Sequence, residues 1–528
     1  MPAIKGRGND MTRLLTRQQQ QKLDREFSDI TGLPSIVLME QAASGLTGLI
    51  GALLESFDDK DESDLDVLIV AGVGNNGGDG WASARQLMAI GYEVVVYDAK
   101  SDKEPTGDAL LNQHAFRRLG GEIIDTPEEL EGRYPLVTVD ALFGTGFDET
   151  RLMSDKAKQA FAVLASLKEK GTCIVASDIP SGVDADTGHA IPEAVAADFT
   201  CTFGRKKVGL VTHPGLLYAG EVLEYPISMT DEFVEHALGR ERFACTLDAE
   251  SVPTIMSDRQ PDGHKGQFGR VLLIGGAEGM TGALILAARA SEKMGVGYTM
   301  LRAPQGSLPI IASAIPSALI SAVPEEGLET KRDLPEPTAI AIGSGAGKEP
   351  WVKKALNHLL RQPMPIIIDA DGLNALARMM GAYDMLRERA EKGYPPAVLT
   401  PHPGEFLRLA PESSMLLQQD RLEAARVLAE RTGSIIVLKG MATVVAMPDG
   451  DAYINTTGNV GLAKGGSGDV LTGMIAGLAA QMDSIEEAVK RAVYLHGMVA
   501  DIASEKYLSD TVVTPEDLID SIGEALLC

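Results

Sequence analysis

The run Leu65-Asp-Val-Leu-Ile-Val-Ala71 passes directly into Gly72-Val-Gly-Asn-Asn-Gly-Gly-Asp-Gly80. The first stretch is apolar and β-branched enough for a buried strand, and a helix is expected from about Gly78 to Ile90. A strand that turns on glycines into a helix commits the chain to βα units. The unit recurs. Strands are expected at Glu93–Tyr97, Leu136–Asp140 and 172–178, with helices near Ala109–Leu119 and 154–169. Ahead of them, residues 1 to about 11 read as a loose tail. Leu14–Phe27, with its Gln18–Gln21 patch, and Ser35–Leu54 read as helices. The alternation predicts a Rossmann-like, doubly wound parallel sheet.

From about Pro226 to Gly263 the alternation fades into a charged, Pro-containing stretch. A second βα series then opens at Arg270–Gly275, with strands expected at Ala339–Ile342, Ile366–Asp369, Ala397–Thr400 and Ile435–Lys439. A helix is expected near 470–480. The chain of 528 residues is too long for one ordinary core. The reading is therefore two α/β domains, 12–228 and 262–528, joined by a linker region at 229–261.

A net charge of −26 makes a poor non-specific binder of nucleic acid or anionic membrane. No nucleic-acid or membrane partner is expected. An anionic nucleotide would have to be held by backbone N–H groups, helix N-termini or a metal ion. Cys173, Cys201, Cys245 and Cys528 form no C-x-x-C pair, so neither a zinc ribbon nor a redox motif is expected. Lys5 and Arg7 precede no apolar signal-peptide region, and no run reaches the about 18 apolar residues of a membrane span. A cytoplasmic protein is expected.

Three acidic strand ends carry the chemistry of the first half. Asn75 and Asn76 in the first glycine turn add carbonyl oxygens able to ligate a hard cation. Asp140 opens Asp-Ala-Leu-Phe-Gly-Thr-Gly146, and Asp178 opens Asp-Ile-Pro-Ser-Gly-Val-Asp184. Any one of these aspartates alone is explained by a turn or a cap. Three in series at the end of a sheet where α/β ligands bind point to a site.

In the second half, Lys464-Gly-Gly-Ser-Gly-Asp-Val470 opens a helix. Its glycines can present N–H groups to a transferring phosphoryl group, and Asp469 can take a proton from an attacking hydroxyl. Taken alone, it equally fits a capped helix stabilised by its dipole. Lys439-Gly-Met-Ala-Thr443 offers a cation and a hydroxyl to phosphates. Thr400-Pro-His-Pro-Gly-Glu405 locks His402 between prolines at a strand end. Asp369 and Asp371 also end a strand, and their roles stay open.

Together, Leu38-Met-Glu40, the Asn-Asn-Gly-Gly-Asp-Gly loop, the Asp140 and Asp178 motifs, Asp198–Phe203 and Lys207-Val-Gly-Leu210 resemble the NAD(P)H-hydrate epimerase family. Gln41 departs from the Asn usual there. The resemblance implies that Asn75, Asn76, Gly77, Gly78 and Asp79, with Gly144, Thr145, Gly146, Phe147, Asp148, Glu149 and Thr150, bind the hydrated dinucleotide. It implies a potassium ion on Asn76, Asp140 and Ser181, and contact of Asp178 with the damaged ring. Asp178 is expected to act as acid and base.

The second half resembles the ADP/ATP-dependent NAD(P)H-hydrate dehydratase family, whose fold is ribokinase-like. It does so through His264-Lys-Gly266, Gly275-Gly276, Thr281-Gly-Ala283, Gly343-Ser-Gly-Ala-Gly347 and the three motifs above. That resemblance implies that Ala283, Gly345, His402 and Asp469 touch the hydrated substrate. It places the adenine nucleotide on Lys439, Gly440, Met441, Ala442, Thr443 and Gly468, and makes Asp469 the base. Magnesium with ADP or ATP, and a homo-oligomer, are implied too. The alternatives are a ribokinase-type small-molecule kinase and a non-catalytic dinucleotide-binding scaffold. Retention of Asn76, Asp140, Asp178 and Ser181 argues against the scaffold.

Overall fold

The computed structural model describes residues 13–57, 64–100, 104–130, 132–148, 153–239, 241–249, 251–252, 262–324 and 334–527. The chain forms two compact units, Arg13–Glu241 and a second that begins at Arg242.

In the first unit, strands β1 (Asp64–Ala71), β2 (Val94–Asp98), β3 (Glu122–Ile124), β4 (Tyr134–Ala141), β5 (Cys173–Ser177), β6 (Phe199–Phe203) and β7 (Glu221–Tyr225) make one sheet. Its order is 3-2-1-4-5-6-7 and every pair is parallel. This is the doubly wound order, with its reversal between β1 and β4, where ligand crevices open. β1 and β4 are largely buried, β1 through its Val67-Leu-Ile-Val70 run and β4 through Val137, Thr138 and Val139.

The glycine turn is shorter than its sequence suggests. The helix already starts at Asn75 and runs to Ala89, so both asparagines and the next two glycines lie in its first turns. Close packing explains how a Gly-rich stretch stays helical. A Cβ on Gly77 would sit 1.9 Å from the Gly72 carbonyl oxygen, and one on Gly78 would sit 2.5 Å from Met39 Cε. The glutamine patch belongs to helix Arg17–Thr31. There Thr16 and Gln19 form a capping box, and Gln20 Nε2 donates to Asp24 at 2.8 Å. Helix Ile36–Glu55 is long and apolar enough to cross a membrane by length and composition. Its Leu38, Ala42, Leu46, Ile50 and Leu54 pack into the core between sheet and helices.

The second unit contains β8 (Ala244–Leu247), β9 (Arg270–Ile274), β10 (Tyr298–Ala303), β11 (Leu319–Ala322), β12 (Ala339–Ile342), β13 (Ile366–Ile368), β14 (Val398–Leu399), β15 (Ile435–Leu438), β16 (Val444–Ala446) and β17 (Ala452–Asn455). Within this unit the order is 8-17-16-15-14-13-12-9-10-11. The pairs β15–β16 and β16–β17 are antiparallel hairpins and the rest are parallel. Helices Thr281–Lys293 and Ser467–Ala479 pack on each other over the sheet. Their contact is close enough that a Cβ on Gly473 would meet the Ala287 carbonyl oxygen at 2.1 Å.

The stretch read as a linker, 229–261, is partly built structure. Helix Asp231–Leu238 belongs to the first unit, and β8 is a strand of the second. Its high charge hid an amphipathic helix whose Val234, Ala237 and Leu238 are buried against Leu15 and Leu23.

Candidate active sites

In the first unit, Asp140 and Asp178 stand at the ends of the adjacent strands β4 and β5. Asp178, just past β5, has its backbone in the left-handed region at φ 64, a conformation that non-glycine residues hold only under constraint. Thr202 Oγ1 and the Phe203 N–H donate to its Oδ1, each at 3.2 Å, and Lys207 Nζ donates to the same oxygen. Lys207 is 1% exposed and also donates to Thr202 Oγ1 at 3.1 Å and the Phe203 carbonyl at 2.9 Å. Thr202, Phe203 and Lys207 thus all donate to Oδ1. Asp79, buried in the first turns of the Asn75–Ala89 helix, is electrostatically coupled to this pair. Burial, then the charges of Asp178 and Asp24, hold its carboxyl well above the usual range.

Asp140 ends β4 and is buried. Ser181 donates to it through its backbone N–H at 2.8 Å and through its hydroxyl. Ser181 Oγ also accepts from the Phe143 N–H at 2.8 Å. Burial raises the Asp140 pKa, opposed by the two Ser181 bonds and the Leu142 N–H. Asn76 is buried and neither its Oδ1 nor its Nδ2 has a partner. A Cβ on Gly144 would stand 3.4 Å from Asn76 Oδ1. Ser181 thus bridges Asp140 to Phe143, and the adjoining Gly144 lies against Asn76. A buried, orphaned amide there fits an oxygen-seeking cation. Asn75 is exposed at the helix start, and Phe147 packs on Phe143 with ring centroids 5.4 Å apart. Thr145, Gly146 and Asp148 follow in the same turn, while Glu149 and Thr150 lie outside the described residues. Gln41, which departs from the family pattern, ties Nε2 to Ser228 Oγ at 2.6 Å.

Lys207 had appeared in the sequence only as part of a motif. It ends the basic run Arg205-Lys206-Lys207, and nothing along the chain marks it as the one whose charge is buried against a partner.

In the second unit, Lys439, Asp369, Thr400, Thr472 and Glu405 cluster beside the Asp469 helix. Lys439 Nζ donates to Asp369 Oδ1 at 2.8 Å and lies 3.9 Å from Glu405 Oε2. Thr400 Oγ1 donates to Asp369 Oδ1 at 2.7 Å, and Thr472 Oγ1 donates to Oδ2 at 2.8 Å. Burial alone would raise the Asp369 carboxyl, but Lys439 and the two hydroxyls outweigh it and hold the group below its ordinary value. Thr472 lies one turn beyond Asp469, so its bond fixes the Asp469-bearing face of the helix over this cluster. Burial, then the Asp369 charge, pushes Asp469 up to about 6.

Around that pair, a Cβ on Gly468 would stand 3.3 Å from Lys439 Nζ. Gly345 is left-handed at φ 56, and a Cβ on it would meet Met280 O at 2.3 Å and Ala283 Cβ at 3.1 Å. Asp371 Oδ2 accepts from the Gly347 N–H at 2.7 Å and so closes the neighbouring Gly-rich loop. His402, 52% exposed, caps helix Pro403–Leu409. Its N–H donates to Glu405 Oε2 at 2.9 Å, and this links it through Glu405 to Lys439. Gly440, Met441, Ala442 and Thr443 form a turn after β15 in which Met441 is exposed and Thr443 Oγ1 donates to Gly440 O at 2.9 Å.

Two residues went unnoticed in the sequence. Arg421 Nη2 donates to the Lys439 carbonyl at 3.3 Å and adds a second cation beside this turn. His496, buried on helix Ile485–Tyr507, lies with Nε2 3.0 Å from the Ser467 carbonyl. Neither sits in a recognisable motif, because each is a lone residue on an otherwise ordinary amphipathic helix.

Comparison with known proteins follows the same division. A family described as YjeF-related protein N-terminus matches residues 35–209, and one described as NAD(P)H-hydrate dehydratase matches 271–524. The bifunctional NAD(P)H-hydrate repair enzyme Nnr of Moorella thermoacetica is 36% identical over 530 residues, covering 97% of this chain and 96% of the relative. That of Escherichia coli is 32% identical, covering 92% and 88%. A crystal structure of ADP/ATP-dependent NAD(P)H-hydrate dehydratase from Bacillus subtilis, co-crystallised with ATP/Mg2+, is 34% identical. It covers 53% of this chain and 96% of that one, with a TM-score of 0.46. With relatives matched along nearly their whole length and one family model on each unit, the chain belongs to the bifunctional NAD(P)H-hydrate repair enzymes.

Proposed function

We propose that Asp178 and Asp469 carry the two chemical steps of nicotinamide nucleotide repair, one in each unit. The first unit interconverts the R and S forms of hydrated NADH and NADPH. The second returns the S form to NADH or NADPH at the expense of ADP or ATP, giving AMP or ADP and phosphate.

In the first unit, a proton from solvent is relayed by Asp178 to the C6 hydroxyl, which leaves as water as the ring nitrogen lone pair forms the C=N bond. Water then adds to C6 from the opposite face and its surplus proton returns to solvent. Lys207, Thr202 and the Phe203 N–H hold the carboxylate in one orientation through Oδ1, which supports this role. Asn76, Asp140 and Ser181 would hold potassium, the orphaned Asn76 amide being the observation that favours it. When bound, that cation supplies positive charge near the dinucleotide's phosphates.

In the second unit, the C6 hydroxyl attacks the terminal phosphoryl group and its proton passes to Asp469. The P–O bond to the leaving nucleotide breaks. The resulting C6 phosphate ester then departs as inorganic phosphate with loss of a C5 proton, which restores the ring double bond. Phosphate leaves far more readily than hydroxide, and this is why a nucleotide is consumed. Lys439 and Arg421 hold phosphate oxygens, and the helix start at Ser467–Asp469 presents its N–H groups to the developing charge. Magnesium would enter with the nucleotide's phosphates and water. The carboxylates of Asp369 and Asp371 fit that division, because their oxygens are already engaged by protein donors.

The observation that carries the reading is the Asp469, Lys439 and Asp369 cluster set at a Gly-rich helix start. The test is absorbance at the reduced-nicotinamide band with both hydrate epimers, ADP or ATP, magnesium and potassium. Full, nucleotide-dependent recovery of NADH, lost in Asp469→Asn, is expected. Failure of the folded wild type to recover any NADH refutes the reading and returns the ribokinase-type kinase to consideration.

A further inference from the structure

In doubly wound dinucleotide sites the adenosine ribose lies beyond the end of β2, where an acidic residue accepts from the 2′-hydroxyl or a neighbouring cation accepts a 2′-phosphate. β2 here ends in Asp98, paired in register with Ala71, the residue that leads into the Gly72 turn. The carboxylate is in the expected place but is turned inward, 1% exposed. Gln113 Nε2 donates to its Oδ2 at 2.9 Å and the Lys100 N–H to its Oδ1 at 3.3 Å. Lys100 Nζ stands 3.6 Å from Oδ2. Asp98 is therefore committed to protein donors and offers no acceptor to a ribose diol.

What faces outward is the Lys100 ammonium, 28% exposed. Its other partner is Glu104, 66% exposed and 3.3 Å away on a flexible side chain. An exposed carboxylate contact of this kind is weak and can give way to a phosphate.

We infer that Lys100 is a specificity-determining residue of the first unit, receiving the 2′-phosphate of hydrated NADPH at the end of β2. The inference rests on the reading that this unit binds the hydrated dinucleotide in the crevice at its strand ends, with the adenosine toward β2. Asp98 acts as a positioning residue, orienting the lysine while its own charge is neutralised.

The test compares the full chain with Lys100→Ala and Lys100→Glu. R hydrates of NADH and NADPH are supplied separately, and recovery is read through the chain's own second unit with saturating nucleotide. S hydrates, which bypass the first unit, serve as the control. The ratio of kcat/KM for the R hydrate of NADPH to that of NADH should fall about tenfold in Lys100→Ala and further in Lys100→Glu, with KM carrying most of the change. S-hydrate recovery should follow wild type. A ratio that stays at its wild-type value in both variants overturns the inference, whether or not overall activity falls. A wild type that converts S but neither R hydrate overturns the epimerase reading and this inference with it.

Discussion

Lys207 and Asp178 form an ion pair in which the lysine is 1% exposed and the aspartate 14% exposed, at a residue whose backbone is left-handed. A charge buried that deeply is held by its partner, and a backbone held in that region is over-determined by its surroundings. The pair costs stability and returns an oriented carboxylate at the end of β5.

Replacing Lys207 with Met should therefore do two things at once. It should leave Asp178 poorly oriented and lower R-hydrate conversion by about 10²-fold or more, the usual worth of a positioned acid–base group. It should also change the melting of the first unit, because a buried ion pair has lost one partner. Asp178→Asn should match the kinetic loss. Dehydration of the S hydrate in both variants should follow wild type. R-hydrate conversion at wild-type rate in a folded Lys207→Met protein would remove the lysine from the mechanism.

The second unit should respond to pH through Asp469. Its carboxyl lies near 6, raised first by burial and then by Asp369. The base is the ionised form, so kcat/KM for S-hydrate dehydration should be level above about pH 7 and fall as pH drops through 6, approaching tenfold per unit. The stability linkage runs the other way. A carboxyl raised in the folded state binds its proton more readily there, so its contribution to stability falls as pH rises from the ordinary 3.8 toward 6. Activity and stability should thus trend oppositely across that window. A flat activity profile from pH 5 to 8 would exclude Asp469 as the base.

Gly144→Ala tests the cation reading without replacing a proposed ligand. The new Cβ would lie 3.0 Å from Asn76 Cβ and 3.1 Å from its Cγ, so the asparagine must shift. Thermal melts with potassium against a large organic cation should show a potassium-dependent rise in wild type and a much smaller one in the variant. Equal rises in both would place the ion elsewhere.

The parts legible in the sequence were those where one residue type answers one demand. Strands buried on both faces need Val/Ile/Leu runs, and Leu65–Ala71 and Ile435–Lys439 were read on that basis. Ala244–Leu247, Val444–Ala446 and Ala452–Asn455 are not legible because strands of three or four residues have little periodicity to show. The helix start at Asn75 is not legible because glycine opposes helix locally, and the close packing that suits Gly77, Gly78 and Gly80 comes from residues distant along the chain such as Met39 and Ala141. The site aspartates were found through their glycine-flanked motifs. Their partners Lys207 and Thr472, and the neighbouring Arg421 and His496, were not, because each comes from another element and is chosen by proximity in space rather than along the chain.

His496 shows how such a partner can matter. Burial pushes its imidazole down to about 4, so it is neutral in the folded protein near pH 7 and Nε2 can carry the proton toward the Ser467 carbonyl. That carbonyl belongs to the first turn of the helix bearing Asp469. His496→Leu should remove the restraint and lower S-hydrate kcat about tenfold, while His496→Gln, which keeps an N–H donor, should recover most of it. R-to-S interconversion should not respond to either change. Linkage gives an independent check. Between the ordinary 6.5 and about 4 the unfolded chain takes up a proton that the folded imidazole refuses, so this group's contribution to stability falls as pH drops through that range. Denaturant melts from pH 4 to 7 should be less pH-dependent in His496→Gln than in wild type. A Leu variant with undiminished kcat would reduce His496 to a core residue.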